Sequence, residues 1–344
     1  MRIVLTAGGT GGHIFPAKAV ADALKQEGHT VLFITDERGR GYTKLFESSR
    51  ILTLKYQSGF WGRIKLLWRL LVSTFYMISE FRKLKPHRVV GFGGYPSIPA
   101  VLAGQLLRIP TFIHEQNVHL GKANRWLSKG AKKVIGSFAK TPTATFLGNA
   151  VRKDFFALKP YAVPSKNFNI LILGGSLGSQ IFGAVVPKAL KKLPIVQQKQ
   201  VSIVQQCRPE LEDMIRAEYE GFAGKYTLKG FLEKSANEMD SATLIISRAG
   251  GTTIAEICAA GRPVILVPFA ASKEGDQFYN ALFMKEQGAA YTLSEYHFNA
   301  DNLYKTISYL MNHKEELVEM ARHAKRLSQP KAVAKMLDMI LKES

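Results

Sequence analysis

Short apolar runs alternate with helix-like segments along the chain. The first run, Ile3–Leu5, enters the turn Gly8–His13, and a helical periodicity of hydrophobic positions follows over Pro16–Gln26. The run Asn169–Leu173 starts the same order again, with a glycine turn and a helix predicted from about Gln180. Strands that alternate with helices in this way predict α/β domains with doubly wound parallel sheets.

The length of the chain predicts two such domains. A chain of 344 residues exceeds one ordinary hydrophobic core. Residues 156–168 contain Pro160 and Pro164 and show little periodicity, which is typical of a linker. We therefore expect one Rossmann-like domain over residues 1–155 and a second over residues 156–329.

The most apolar segment, residues 62–82, predicts one long helix. One face of its helical wheel carries Ile64, Leu67, Trp68, Leu71, Phe75 and Ile78, and a narrow polar stripe carries Lys65, Arg69 and Ser73. The pattern predicts a core helix. The alternative is a helix that docks on a membrane surface with Trp and Arg at the headgroup level. No uncharged apolar run is long enough for a transmembrane helix.

The charge of the chain favours polyanionic partners. The formal net charge is +20, which suits nucleic acid, anionic lipid or phosphorylated substrates. We find no recognisable nucleic-acid reading motif and expect no nucleic-acid partner.

The cysteines and the N-terminus indicate the compartment. Cys207 and Cys258 form no disulfide framework, so a reducing compartment is expected. Met1-Arg2 leads directly into a strand, so no signal peptide is predicted.

The first glycine turn has the composition of a ligand-binding loop. Ile14 stands where a dinucleotide fingerprint needs glycine, and no Gly-Lys-Ser/Thr follows, so neither NAD binding nor a Walker A loop is predicted. A strand, a glycine turn and a helix aim backbone N–H groups at an anion. His13 beside this turn is a candidate general base, since histidine titrates near neutral pH; the alternative is a structural histidine at a helix start.

Two turns in the second half share this design. Gly174-Gly175-Ser176 and Arg248–Thr252 place small residues and hydroxyl groups at predicted helix N-termini, where a diphosphate is favoured. If both follow neighbouring strands, they can converge on one pyrophosphate; either turn alone can be purely structural.

Two charged residues near these turns can bind ligand or be ordinary surface residues. Glu256 can bind ribose hydroxyls or be an exposed helix acid, and Arg152 can clamp a phosphate or be a surface charge. No Cys-x-x-Cys, His-Glu-x-x-His or Asp-x-Asp motif is present, so no metal site is predicted.

Seven motifs together resemble one enzyme family. They are Gly8–His13, Gly93–Ser97, His114–Asn117, Gly148–Arg152, Gly174–Gly178, Arg248–Glu256, and Asp276-Gln277 with Asn280. In order and end to end, this set is similar to the MurG family, which belongs to glycosyltransferase family 28 and has the GT-B fold. That fold implies two Rossmann-like domains facing a cleft, with the C-terminal helix at 330–344 packed back on the first domain.

The resemblance implies inverting transfer of N-acetylglucosamine from UDP-N-acetylglucosamine (UDP-GlcNAc) to the 4-hydroxyl of undecaprenyl-diphospho-MurNAc-pentapeptide, the lipid I to lipid II step of peptidoglycan synthesis. His13 would be the catalytic base. Donor contacts are implied at Thr10, Gly11, Gly12, Asn117, Arg152, Ser176, Phe231, Leu232, Gly251, Thr252, Thr253, Ile254, Ala255, Glu256 and Gln277. Acceptor contacts are implied at Gly9, Gly93, Gly94 and Tyr95.

The resemblance also implies that no metal or other cofactor is needed. It places the enzyme peripherally on the cytoplasmic face of the bacterial inner membrane, against anionic lipid, and is compatible with contacts to other cell-wall synthesis proteins. Two positions depart from the family pattern, because Ala150 replaces a proline and Leu177 replaces a glutamine. We expect a looser or less polar site there, with activity retained. The alternatives are a family transferase with another lipid acceptor, and a UDP-sugar epimerase or non-catalytic UDP-sugar protein on the same fold.

Overall fold

The computed structural model describes residues 1–53, 60–164, 166–175, 179–232 and 234–343. The chain divides into two compact units. The first comprises Met1–Arg152 and Gln329–Ser344, and the second comprises Lys153–Ser328. Each unit has its own sheet and its own hydrophobic core.

The first unit is built on a parallel sheet of seven strands in the order β3-β2-β1-β4-β5-β6-β7. The strands are β1 (Arg2–Thr6), β2 (Thr30–Asp36), β3 (Ser49–Leu52), β4 (Arg88–Gly91), β5 (Thr111–Glu115), β6 (Lys133–Gly136) and β7 (Thr145–Phe146). The helices between them are α1 (Gly11–Gln26), α2 (Phe60–Leu84), α3 (Ile98–Leu106) and α4 (Lys122–Leu127). Apolar clusters cover both faces of this sheet. The predicted doubly wound α/β architecture is confirmed.

Helix α1 begins one turn earlier than the hydrophobic pattern predicts. The backbone N–H groups of His13 and Ile14 both donate to the carbonyl oxygen of Thr10, so the helix starts at Gly11. Pro16 lies inside the helix without ending it. The predicted helix began at Pro16, after the glycine turn. His13 therefore lies in the first turn of a helix, a more rigid position than a loop.

Helix α2 buries a different face from the predicted one. Met77 and Phe81 are fully buried in the core and Thr74 is nearly so, whereas five of the six predicted core residues are exposed. Ile78 alone of those six packs partly against the core. The hydroxyl of Thr74 donates to the carbonyl of Leu70 at 2.7 Å, which satisfies this polar group inside the helix and permits its burial. The core-face prediction for residues 64–75 is therefore wrong.

The second unit repeats the architecture with six parallel strands in the order β10-β9-β8-β11-β12-β13. The strands are β8 (Phe168–Leu173), β9 (Val201–Gln206), β10 (Lys225–Lys229), β11 (Leu244–Ser247), β12 (Val264–Leu266) and β13 (Tyr291–Thr292). The helices are α5 (Gln180–Lys191), α6 (Ile195–Gln198), α7 (Glu212–Glu218), α8 (Ser235–Ser241), α9 (Gly251–Ala260), α10 (Asp276–Glu286), α11 (Ala300–Asn312) and α12 (Lys314–Arg326). Its core lies between β8 and the helices α5 and α11.

The last helix, α13 (Ala332–Lys342), completes the first unit. Its buried residues Met336, Leu337 and Ile340 join the cluster that contains β1 and α1. The guanidinium of Arg88 donates to the carbonyl oxygens of Ile340 and Glu343 at 3.0 Å each, which supplies partners at the end of the helix. None of the helices in the described part of the chain is long and apolar enough to cross a bilayer.

Candidate active site

In the first unit, the candidate residues collect at the point where the strand order reverses. Strands β2 and β4 flank β1, so the turns after β1 and β4 leave the same sheet edge on either side of the switch point. In open parallel sheets, ligands bind at this point, outside the carboxyl ends of the strands. The turn after β5 lies next in the row and brings Gln116 and Asn117 to the same edge.

The first two glycine turns are in direct contact. The N–H of Gly8 donates to the carbonyl of Gly93 at 2.9 Å. Gly93 and Gly94 have φ values of 93° and 76°, in the left-handed region that favours glycine. A Cβ added at Gly94 would approach the backbone of Gly8 to 3.1 Å, and one at Gly93 would lie 3.2 Å from the His13 ring. Glycine is therefore needed here both for the backbone conformation and for the close approach of the turns.

His13 is held by a residue that the sequence prediction did not assign. Its Nδ1 lies 3.0 Å from Oε1 of Gln116, which is nearly fully buried. Nε2 of Gln116 donates to the carbonyl oxygen of Phe92 at 2.9 Å and lies 2.9 Å from Nδ1 of His114. The chain of contacts thus joins α1 to the ends of β4 and β5.

His114 is a buried neutral imidazole at the inner end of this chain of contacts. Burial lowers its pKa to about 4; the charge of His13 acts in the same direction, and a hydrogen bond to the carbonyl of Gly148 opposes both. The Nε2 atom of His114 lies 3.4 Å from the Gly148 oxygen. At neutral pH the ring is therefore uncharged, and it can accept at one nitrogen and donate at the other.

Asn117, implied as a donor contact, is oriented by a buried carboxylate. Oε1 of Glu115 accepts from both the backbone N–H and the side-chain amide of Asn117, at 3.0 and 3.1 Å. Oε2 of Glu115 accepts from Asn124 Nδ2 and from the N–H of Gly121. Glu115 therefore fixes the turn that follows β5.

The other implied residues of the first unit lie around the same turns. Thr10 precedes the first helical residue, Gly11; Gly12 is exposed in the first turn of α1. The guanidinium of Arg152 lies 5.7 Å from the centre of the Phe15 ring on α1, in cation–π range. Ala150, the departure from the family pattern, is buried in the core beside α13.

Tyr95 and Gly9 border a buried acid that the sequence prediction missed. Asp36, at the end of β2, is fully buried, and its Oδ2 accepts from Arg38 Nε at 2.8 Å and from the Tyr95 hydroxyl at 3.3 Å. Burial raises the pKa of Tyr95, as does the charge of Asp36, while Arg38 lowers it. The tyrosine is therefore a neutral hydroxyl at neutral pH, fixed at the edge of the second glycine turn.

In the second unit, the two turns predicted to bind a diphosphate leave neighbouring strands. Strand β11 pairs with β8, and Ser247 lies beside Leu173, so the turns at Gly174-Gly175 and at 248–251 begin side by side. This is again the switch point of the sheet. Helix α9 begins at Gly251. The implied donor contacts on it are therefore its first six residues: Gly251, Thr252, Thr253, Ile254, Ala255 and Glu256. Ser176 and Leu177 lie outside the described residues.

Gln277 and Arg248 are both tied to the loop after β12. Oε1 of Gln277 accepts from the N–H of Phe269 at 2.9 Å. Arg248 donates to Glu295 at 2.6 Å and to the carbonyl of Val267 at 3.2 Å, and its guanidinium lies against the rings of Phe182 and Phe269. Arg248 thus has a structural role in the loop.

The Glu295 carboxylate also binds the loop after β12. Its second oxygen accepts from the N–H of Ala270 at 2.7 Å. Burial alone would raise its pKa, but the hydrogen bonds from Ala270 and Arg248 outweigh burial and lower it.

Phe231 and Leu232, two further implied donor contacts, follow β10 at the same sheet edge, with Phe231 exposed and Leu232 buried.

No group of three or more His, Cys, Asp or Glu side chains arranged to hold a metal occurs among the residues the structure describes.

Two family models match the chain. The glycosyltransferase family 28 N-terminal domain matches residues 3–135, and the glycosyltransferase family 28 C-terminal domain matches residues 169–336. Among solved structures, MurG of Acinetobacter baumannii is similar with a TM-score of 0.83 and 32% identity, covering 99% of each chain. A UDP-GlcNAc 2-epimerase from Neisseria meningitidis has a TM-score of 0.68 over 100% of each chain, but its 14% identity shows the fold alone.

Curated relatives match end to end. The Wolbachia protein from Culex pipiens named UDP-N-acetylglucosamine--N-acetylmuramyl-(pentapeptide) pyrophosphoryl-undecaprenol N-acetylglucosamine transferase is 35% identical over 100% of this chain and 99% of its own length. The protein of the same name from Sinorhizobium fredii is 34% identical over 98% of this chain and 94% of its own. With both halves matched by family models and full-length relatives above 30% identity, the chain belongs to glycosyltransferase family 28 and is a glycosyltransferase.

Proposed function

We propose that this enzyme transfers N-acetylglucosamine from UDP-GlcNAc to the 4-hydroxyl of undecaprenyl-diphospho-MurNAc-pentapeptide. The observation that carries the proposal is the full-length similarity to transferases named for this reaction. The arrangement of each sheet supports it, since glycine turns and helix N-termini occur at both switch points, where diphosphates are favoured.

The proposed reaction is a single inverting displacement. His13 takes the proton of the acceptor hydroxyl, the oxygen attacks the anomeric carbon, and the bond from that carbon to the UDP oxygen breaks on the opposite face. The bonding electrons leave with the β-phosphate, whose growing charge the N-terminus of α9 stabilises. Arg152 and Ser176 remain proposed donor contacts, and the turns of Gly9 and Gly93–Tyr95 remain proposed acceptor contacts.

A product assay tests this proposal. The purified enzyme is given UDP-GlcNAc with the undecaprenyl-linked acceptor, with a diacylglycerol, or with no acceptor, and each is run with and without EDTA. We expect UDP release and a β-linked disaccharide product only with the undecaprenyl-linked acceptor, at a rate that EDTA does not change. Transfer to diacylglycerol would indicate a different acceptor class, and formation of free sugar or an epimer without acceptor would indicate a different reaction.

We further propose that the exposed face of α2 holds the enzyme on the anionic cytoplasmic face of the inner membrane. This face presents Trp61, Leu67, Trp68, Leu71, Val72 and Phe75 to solvent, and we call it the α2 apolar face. Contiguous exposed apolar side chains of this size are rare on soluble proteins and typical of interaction surfaces. Lys65 on the same helix, together with the net charge of +20, suits anionic lipid.

Replacing Trp68 and Phe75 by glutamine should weaken binding to phosphatidylglycerol vesicles by at least about 10-fold, because each large apolar side chain contributes roughly 1.5–3 kcal/mol on burial. Vesicle sedimentation measures this. The matched control replaces Ile195 and Val196, which are similarly exposed on the second unit, by glutamine. Equal binding by both double variants and the wild type would contradict the assignment of the α2 apolar face.

A further inference from the structure

The side chain of Gln116 has a polar partner at each of its functional atoms. The residue is 2% exposed and follows β5 directly. A primary amide has two N–H donors on one end and an acceptor oxygen on the other. Here Nε2 meets the Phe92 carbonyl and His114 Nδ1, each at 2.9 Å, and Oε1 meets His13 Nδ1 at 3.0 Å.

The backbone of β4 decides which way this amide faces. The carbonyl oxygen of Phe92 can only accept, so it requires the NH2 end of Gln116. The N–H of Phe92 donates to the carbonyl of Thr6 at 2.8 Å, which holds this peptide in the sheet. Turning the amide by 180° would bring two oxygens together at Phe92 and leave a buried carbonyl unpaired, which is unfavourable.

His114 requires the same orientation. The carbonyl oxygen of Gly148 can only accept, so Nε2 of His114 carries the proton of the uncharged ring. Nδ1 of His114 is then an acceptor and needs a donor. The NH2 end of Gln116 supplies that donor. Two independent acceptors therefore select one amide orientation, and the oxygen is left for His13.

We infer that Gln116 is a positioning residue that holds His13 in the Nδ1–H tautomer, so that Nε2 carries the lone pair that accepts the proton of the sugar hydroxyl. An oxygen partner at Nδ1 leaves only the donor role to that nitrogen, and a neutral imidazole has a single N–H. The role of Nε2 rests on the proposed function; the tautomer does not, because it is a property of the enzyme without substrate.

The tautomer can be measured directly. Protein labelled with ¹⁵N-histidine is examined at neutral pH by long-range ¹H–¹⁵N correlation, and the His13 signals are assigned by their loss in His13→Ala. We expect a protonated Nδ1 and an unprotonated Nε2 in the wild type. A protonated Nε2 in the wild type would overturn the inference without any variant.

Two variants test whether Gln116 is the cause. Gln116→Met keeps the approximate shape of the side chain and removes the acceptor for His13 Nδ1, so the Nε2–H tautomer of His13 should become populated. We expect kcat to fall about 10- to 100-fold, which is part of what a general base contributes. The KM for UDP-GlcNAc should not change. Gln116→Glu keeps an oxygen towards Nδ1, and burial favours its protonated form, whose O–H can replace the donor to the Phe92 carbonyl. This variant should restore the tautomer and most of kcat. An unchanged tautomer in Gln116→Met would refute the role.

Asn124→Leu provides the matched control. Asn124 donates to the His114 carbonyl and to Glu115, so its loss loosens the same segment without touching the His13 nitrogens. We expect lower stability and a wild-type tautomer. The same tautomer change as in Gln116→Met would mean that general loosening is responsible. Wild-type turnover in His13→Ala would refute the base role and leave the tautomer result intact.

Discussion

Replacing His13 by alanine should lower kcat by about 10²- to 10⁴-fold, the usual contribution of a positioned general base. The ring lies in the first turn of α1 with its Nδ1 paired to Gln116, so its removal leaves no other imidazole in that position. The proposed donor contacts lie mainly on the second unit, so the Kd for UDP-GlcNAc, measured by calorimetry, should stay close to the wild-type value. Rapid-quench turnover with the lipid acceptor measures kcat.

His29→Ala is the control for this experiment. His29 precedes β2 at the opposite edge of the same sheet, where its Nδ1 lies 3.0 Å from the N-terminal amine. It should keep full turnover. Near wild-type turnover of His13→Ala would remove the histidine from the base role and direct attention to another acceptor-side group, such as the Tyr95 hydroxyl with its Asp36 partner.

Replacing Arg262 by methionine should lower the unfolding free energy of the second unit by about 3 kcal/mol, because several buried carbonyl oxygens lose a charged donor. Arg262 is 2% exposed and binds Asp240 at 2.8 Å. It also donates to the carbonyl oxygens of Met239, Ala260 and Lys159, which end α8 and α9 and anchor the segment before β8. Methionine fills the space but leaves these buried acceptors and one carboxylate without their donor.

Hydrogen exchange of peptides from β11 and β12 at increasing urea isolates the stability of this unit. Arg322→Met is the control, since Arg322 forms an exposed ion pair with Glu319 on the surface of α12. Surface pairs of this kind contribute little, so no comparable loss is expected. Equal effects of the two substitutions would show that the buried network around Arg262 does not hold the unit together.

The strand and turn pattern was predictable because it depends on local chemistry. Short apolar runs such as Ile3–Leu5 favour buried strands, and the glycine turns that follow some of these strands mark the ligand-binding edge. The faces of α2 were not predictable in this way. Thr74 lies in the buried row, where its hydroxyl bonds to a carbonyl of its own helix, and large apolar residues lie in the exposed row.

The site was predictable in part for the same reason. His13 was proposed as a candidate base because its residue type is unusual beside a glycine turn, and that role remains a prediction; its contact with Gln116 was not predicted. Alternate residues of an extended chain point the same way, so the pair His114 and Gln116 was a usable signal that both side chains lie on one side of β5. Which strand end would meet His13 depends on the strand order, and nothing local in the sequence specifies that order.

The packing of α13 sets an order for biosynthesis. Residues 332–342 leave the ribosome only after the whole of the second unit has been made, yet their side chains fill the core beside β1 and α1. Domains usually fold as units in the order of translation. Here the unit that is begun first is completed after the second, so the nascent first unit exposes an apolar groove until residues 332–342 have been made, and helix α1 reaches its final packing only then.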